Sequence, residues 1–225
     1  MSIQSVRVPA SEQIPGIMSE LQTAADTLQE IGWGVSVFGS ARLRPDSPYY
    51  QLSELIGQRL AEAGLTVIAG GGPGIMEAAN KGAYEAGGHS IGLNIELPRE
   101  AHNNHYQTHS LYFNYFYSRK ATFFMHSAAY VAMPGGFGTL DELFEVLTLV
   151  QTRKVPSAPI VLVGVSFWSG LIDWIKEQLV TLKLISPNDL DLFILTDDAD
   201  EVMNHINRYC VECTTRPDVA PTLPE

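Results

Sequence analysis

At 225 residues, 45% of them apolar and 17% charged, the chain is long enough for one domain with a substantial core and too apolar to remain disordered. Its 25 acidic against 14 basic residues give a formal charge of −11, which argues against nonspecific capture of nucleic acid or of an anionic membrane surface, though a local basic patch could still hold one phosphate. No apolar run approaches the ~20 residues of a membrane span, and no basic segment followed by an apolar one opens the chain. The expectation is a cytoplasmic protein with neither nucleic acid nor membrane as a partner.

Residues 1–15 are polar, carry Pro9 and Pro15 and show no periodicity, which predicts a loose arm. From Ile17 to Ile31 the positions Ile17, Leu21, Ala24, Ala25, Leu28 and Ile31 recur at helical spacing. Trp33 to Phe38 reads as a buried strand that ends in Gly39-Ser40-Ala41-Arg42, and Pro45-Asp46 opens a helix that Gly64 stops. Leu65 to Ala69 is a second strand, Glu77 to Glu85 a helix and His89 to Ile95 a third strand. The segment 96–110 has no apolar period and is rich in Asn, His and Gln, so it predicts a long and functional loop. A short strand at Leu111–Phe113 and a helix over Tyr115–Ser127 follow. Then come a strand at Ala128–Met133, a helix to about Thr152, a strand at Ile160–Val163 and a helix from Phe167 to Leu182. A strand at Leu192–Leu195 and a helix from Ala199 to Val211 close a single domain over residues 16–213. The proline-containing segment 214–225 is a flexible tail. Strands that are uniformly apolar and alternate with helices predict a three-layer α/β/α arrangement, a mostly parallel sheet covered on both faces.

Two glycine-rich stretches stand where strands turn into helices: Ile68-Ala-Gly-Gly-Gly-Pro-Gly-Ile-Met76 and Met133-Pro-Gly-Gly-Phe-Gly-Thr-Leu-Asp-Glu142. Glycine lets backbone approach a ligand closely, and a helix N-terminus offers free N–H groups and a positive dipole end to an anion. Both loops and the Gly39-Ser40 turn fall at carboxyl ends of strands, where open parallel sheets bind their ligands, so one crevice can gather all three. The first turn lacks Gly-x-Gly-x-x-Gly and the second strand ends on Gly70 with no acidic residue, which disfavours a dinucleotide. Ile75-Met76-Glu77 stands where a Walker loop has Gly-Lys-Ser/Thr. A mononucleotide phosphate remains.

Glu142, three residues after Thr139, suits cleavage of an N-glycosidic bond, because a carboxylate can stabilise an oxocarbenium-like sugar while it orients or deprotonates water. Thr139-Leu-Asp-Glu142 equally fits a capping box, with Thr139 as the cap. Arg119 and Lys120, on the preceding helix, can supply positive charge to the crevice or simply lie on an exposed face. His102, His105 and His109 have spacings that could serve zinc, but without a carboxylate signature they read as a solvated loop, with the edge of the substrate pocket as the alternative. Cys210 and Cys213, the only cysteines, have no second ligand pair and read as two ordinary thiols, so no metal site is expected.

On Gly70-Gly-Gly-Pro-Gly-Ile-Met76, Arg119-Lys120 and Pro134-Gly-Gly-Phe-Gly-Thr-Leu-Asp-Glu142, the chain resembles the LOG (Lonely Guy) family over about Trp33 to Lys183. These are cytokinin-activating phosphoribohydrolases often labelled possible lysine decarboxylases, and the chain looks like their longer subgroup. The resemblance implies a dimeric or larger Rossmann-like enzyme that hydrolyses a nucleoside 5′-monophosphate to base and ribose 5-phosphate with neither metal nor other cofactor. It implies catalytic roles for Arg119 and Glu142 and a phosphate site at Gly135, Gly136, Gly138 and Thr139, with further substrate contacts from Lys120 and Glu100. With the loop residues Gly39, Ser40, Gly71, Gly72, Gly74, Met76 and Met133, these complete the expected binding set. Decarboxylation with pyridoxal phosphate would need a Schiff-base lysine, and only Lys120 is near the loops. A carrier that binds a nucleotide or a pterin without cleaving it stays open.

Overall fold

The computed structural model describes residues 9–31, 34–97 and 103–215, with side chains to residue 209. In chain order the elements are α1 (Ala10–Leu28), β1 (Gly34–Phe38), α2 (Pro48–Glu62), β2 (Thr66–Ala69), α3 (Ile75–Glu85), β3 (Ser90–Ile95), β4 (His109–Phe113), α4 (Phe116–His126), β5 (Ser127–Ala132), α5 (Phe137–Gln151), β6 (Ile160–Val163), α6 (Val165–Trp174), β7 (Ile194–Thr196) and α7 (Ala199–Thr215). One π-helical turn, Ile175–Val180, extends α6, and a 3-10 turn, Pro187–Leu192, precedes β7.

The seven strands form one sheet in the order β4-β3-β2-β1-β5-β6-β7, every described pairing parallel. Alternate side chains of each strand leave opposite faces, and each face is covered by helices. Phe38, Ile68, Ile91 and Tyr130 pack with α1, α4, α5 and α6 through Leu28, Phe123, Leu143 and Trp168. Val35, Val37, Val67 and Val131 pack with α2, α3 and α7 through Ile56, Leu60, Ala79 and Ile206. This is the expected three-layer arrangement, with the sheet buried on both sides as parallel sheets require.

The chain builds outward from β1 to β4, then returns through α4 to lay β5 on the other side of β1. The strand order therefore reverses between β1 and β5, the place where such sheets open a crevice at their carboxyl ends. Met133 N–H donates to Phe38 O (2.9 Å) and Ser40 N–H to Pro134 O (3.1 Å), so the turns after these two strands are tied together at that point.

Helix α1 begins at Ala10 and contains Pro15, so it takes in residues expected to belong to a loose arm; residues 1–8 lie outside the described residues. Tertiary contact overrides the local signal here. Gly16 lies against the Tyr115 ring, and the Glu20 carboxylate accepts from Asn114 N–H (2.8 Å), Asn114 Nδ2 (3.1 Å) and Ser118 Oγ (2.5 Å) at the start of α4. Strand β4 also starts two residues earlier than its apolar run, at His109. It is an edge strand whose outer positions remain polar.

Candidate active site

The first glycine loop leaves β2 and enters α3 with Gly74 as the N-cap residue. Two of its glycines are obligatory. Gly71 has φ +75° and a Cβ there would fall 2.0 Å from Asn94 Oδ1; Gly74 has φ +70° and a Cβ would fall 2.3 Å from Ser40 O. Ile75 N–H donates to Ser40 O (2.9 Å), which joins this loop to the turn after β1. The Met76 side chain lies over Gly70 and Gly72.

The second loop, Pro134-Gly135-Gly136, enters α5 with Gly136 as the N-cap residue and without any side-chain cap. A Cβ at Gly135 would meet Thr139 Oγ1, whereas Gly136 and Gly138 face open space. The backbone N–H groups from Gly136 to Thr139 donate to no described group, and Thr139, a residue only 4% exposed, makes no side-chain hydrogen bond to a described group. Unfilled donors at a helix N-terminus, glycines without a neighbour and a hydroxyl to spare make a ready anion seat.

Thr139 is the third residue of α5, not its cap, so the capping-box expectation for Glu142 fails. The helix starts at Phe137, three residues too early for it. The chain does build that motif elsewhere, at Ser186 and Asp189. Freed from capping, Glu142 sits in the second turn of α5 with its side chain 14% exposed, and among the described residues its ion-pair partner is Arg119, with Nη1 4.0 Å from Oε1. At 4.0 Å the pair attracts but makes no hydrogen bond. Burial pushes the Glu142 carboxyl up from its ordinary 4.5 to about 7; Arg119 opposes the shift, Asp141 adds to it, Lys120 opposes it and Glu145 adds a little more. A mostly buried carboxyl without a hydrogen bond, poised near neutrality beside a crevice, is a functional-site signature.

Arg119 is 7% exposed and spans the floor of the site. Its Nε donates to Leu93 O (2.7 Å), Nη2 to Gly70 O (3.3 Å), and the guanidinium lies over the Phe123 ring at 5.5 Å. Burial lowers its pKa and Glu142 raises it, and the guanidinium stays charged. Arg119 is thus the side chain that touches the first loop and faces the carboxylate mounted behind the second.

Arg119, Glu142, Thr139, both glycine loops and Gly39-Ser40 therefore converge. Met133 does so only through its backbone, because its side chain is fully buried in the core. Lys120 is taken up by carboxylates, with Nζ 3.0 Å from Asp141 Oδ1 and 2.7 Å from Glu145 Oε2, and holds α4 to α5. Glu100 and His102 lie outside the described residues, as do the side chains of Cys210 and Cys213. His109 bonds Thr108 Oγ1 and rests 6.0 Å from the His89 ring, and among the described residues no group of three His, Cys, Asp or Glu could hold a metal ion. No helix of the described residues is long and apolar enough to cross a membrane.

Sequence reasoning missed a set of amides behind the first loop: Asn80, Asn94, Asn104 and Gln107. Its only local sign was Asn94 in an apolar strand and a glutamine- and asparagine-rich loop after it.

Residues 76–206 match the family described as possible lysine decarboxylase. A probable cytokinin riboside 5′-monophosphate phosphoribohydrolase, LOGL5 of Oryza sativa subsp. japonica, is 29% identical over 180 residues, which cover 78% of this chain and 72% of that one. Among solved structures, the structural-genomics target TM1055 superposes with a TM-score of 0.60 at 23% identity, over 78% of this chain and 99% of its own. The molybdenum cofactor carrier protein of Chlamydomonas reinhardtii gives 0.57 at 20% identity, over 80% and 98%. At these identities the structural likenesses concern the fold.

Proposed function

The chain belongs to the possible lysine decarboxylase family, the LOG family, and from that premise we propose that it is a phosphoribohydrolase that cleaves the N-glycosidic bond of a nucleoside 5′-monophosphate, AMP or an N6-substituted AMP, to give free base and ribose 5-phosphate. The observation that carries the reading is the Arg119–Glu142 pair: a mostly buried carboxylate free of hydrogen bonds, next to an unfilled helix N-terminus.

The 5′-phosphate sits on the free N–H groups of Gly136 to Thr139 and on the Thr139 hydroxyl, where the α5 dipole favours its charge. That anchors the ribose alongside Glu142. As the bond to the base lengthens, positive charge grows on the anomeric carbon and ring oxygen, and the ionised Glu142 stabilises it. The same carboxylate orients a water and accepts its proton as the water oxygen bonds to the anomeric carbon, while the bonding pair leaves with the base. Arg119 holds Glu142 in place without occupying it by a hydrogen bond. A homodimer or larger assembly, implied by the family resemblance, would cover the exposed Phe137 and Phe144 rings on α5.

The deciding experiment incubates the protein with a panel of nucleoside monophosphates that differ only in the base, isopentenyl-AMP included, and follows base release. Cleavage of at least one is expected, and Glu142→Gln should lower turnover ~10³-fold or more while nucleotide still binds. Saturable binding with no product from any member, and intact ligand recovered, would replace the hydrolase by a carrier of nucleotide or pterin.

A further inference from the structure

Within segment 96–110, which the sequence predicts as a long functional loop, residues 103–108 turn inward and fasten the first glycine loop. Asn104 N–H donates to Gly71 O (2.8 Å) and its Nδ2 to Gly72 O (3.0 Å), while Gln107 Nε2 also donates to Gly71 O (3.1 Å). Asn104 is 7% exposed and its amide is fully used: Nδ2 also reaches Asn80 Oδ1 (3.0 Å) and Oδ1 accepts from Tyr106 N–H (3.1 Å). Asn80 is itself held by Ser90 Oγ (2.9 Å) and Ile91 O (3.1 Å), and Gln107 Oε1 accepts from Asn94 Nδ2 (3.1 Å). The loop is thereby bolted to β3 and α3.

Across a planar trans peptide the carbonyl and the following N–H point in opposite directions. With Gly71 O turned toward Asn104, the N–H of Gly72 must point away from the 103–108 segment, to the open side of the loop, and it donates to no other described group. We propose that Asn104 is a positioning residue: by capturing the Gly71 carbonyl it presents the Gly72 N–H, and by holding the Gly72 carbonyl, whose following residue Pro73 has no N–H, it keeps the loop already ordered for the sugar-phosphate of a nucleoside monophosphate. This rests on the function proposed above. A loop ordered before binding spares the ligand the cost of ordering it, so loss of the lock should weaken ground state and transition state alike and appear in KM.

The test compares the full chain with Asn104→Ala and Gln107→Glu. It measures turnover, and in a Glu142→Gln background it measures equilibrium binding of AMP and of ribose 5-phosphate well below each variant's unfolding temperature. Asn104→Ala should raise KM and the Kd for AMP about tenfold with kcat changed less than threefold. Gln107→Glu keeps Asn104 but removes the second donor to Gly71 O, and should raise both about threefold; it carries the test if Asn104→Ala does not fold. Lowered stability with unchanged Kd and KM in the folded protein, or a loss confined to kcat, would overturn the proposal. If the parent binds AMP but cleaves no monophosphate, the hydrolase reading falls while the Kd arm still judges Asn104. If the parent binds neither AMP nor ribose 5-phosphate, both fall.

Discussion

The two glycine loops perform the same local task, taking a parallel strand into a helix N-terminus, yet they are held in opposite ways. In the first, the carbonyls of Gly70, Gly71 and Gly72 all accept from side chains, those of Arg119, Gln107 and Asn104, and Gly71 has no room for a Cβ. In the second, Gly136 and Gly138 have no neighbour where a Cβ would stand, no side chain caps the helix, and Phe137 is 92% exposed. The first loop is finished by the protein. The second keeps its helix N–H groups unfilled, the division that the proposed function calls for, with a rigid wall on one side and an anion seat on the other.

One alanine in each loop tests this contrast directly. Gly71→Ala places a methyl 2.0 Å from Asn94 Oδ1 in a left-handed backbone conformation, so it should cost about 3 kcal/mol in chemical denaturation. Gly136→Ala, with φ −97° and empty space around it, should change stability by less than ~0.5 kcal/mol yet raise KM for a monophosphate roughly tenfold, because its methyl enters the anion seat. Equal stability losses at the two positions would erase the distinction between the loops.

Acidity separates them next, since the second loop's helix carries Glu142, whose carboxyl is pushed by burial up to about 7. If Glu142 works ionised, kcat/KM should fall about tenfold per pH unit below about 7 and level off above it, and a profile that rises toward acid would make Glu142 a proton donor instead. Stability should run the other way. The folded value of about 7 exceeds the ordinary 4.5, so the folded state holds this proton more tightly, and the stabilisation, fully present below 4.5, is lost as pH rises through 7. The loss from this group is on the order of 3 kcal/mol, and unfolding of Glu142→Gln followed across that window should lack it.

What was legible in the sequence follows from which forces are local. Strands β5 and β6 are unbroken apolar runs and could be placed to within a residue, and the two glycine stretches declared their turns. Glu142 was ambiguous because Thr-x-x-Glu spells a capping box and an uncapped second-turn carboxylate identically; only the true start of α5 at Phe137 separates them. The amide lock was invisible because its partners stand up to 36 residues apart, as Gln107 and Gly71 do, and isolated Asn and Gln residues in a polar loop look like solvated side chains. Helix α1 lost its first turns to the same cause, since Pro15 speaks locally against a helix that α4 holds from outside.

That external hold bears on both loops through Arg119. The Glu20 carboxylate on α1 gathers Asn114 N–H, Asn114 Nδ2 and Ser118 Oγ at the N-terminus of α4, where negative charge also suits the helix dipole. Arg119 follows directly, touching Gly70 O of the first loop and facing Glu142 of the second. Glu20→Ala should therefore cost ~1 kcal/mol of stability through the lost cap-like bonds. It should also lower kcat a few-fold through a less firmly held Arg119, whereas Glu20→Gln, whose amide oxygen still accepts from Asn114 and whose NH2 can donate to Ser118 Oγ, should restore most of both. A stability loss with kcat unchanged would mean that α1 clamps α4 without steering Arg119, and the rigidity of the first loop would then rest on the Asn104 and Gln107 amides alone.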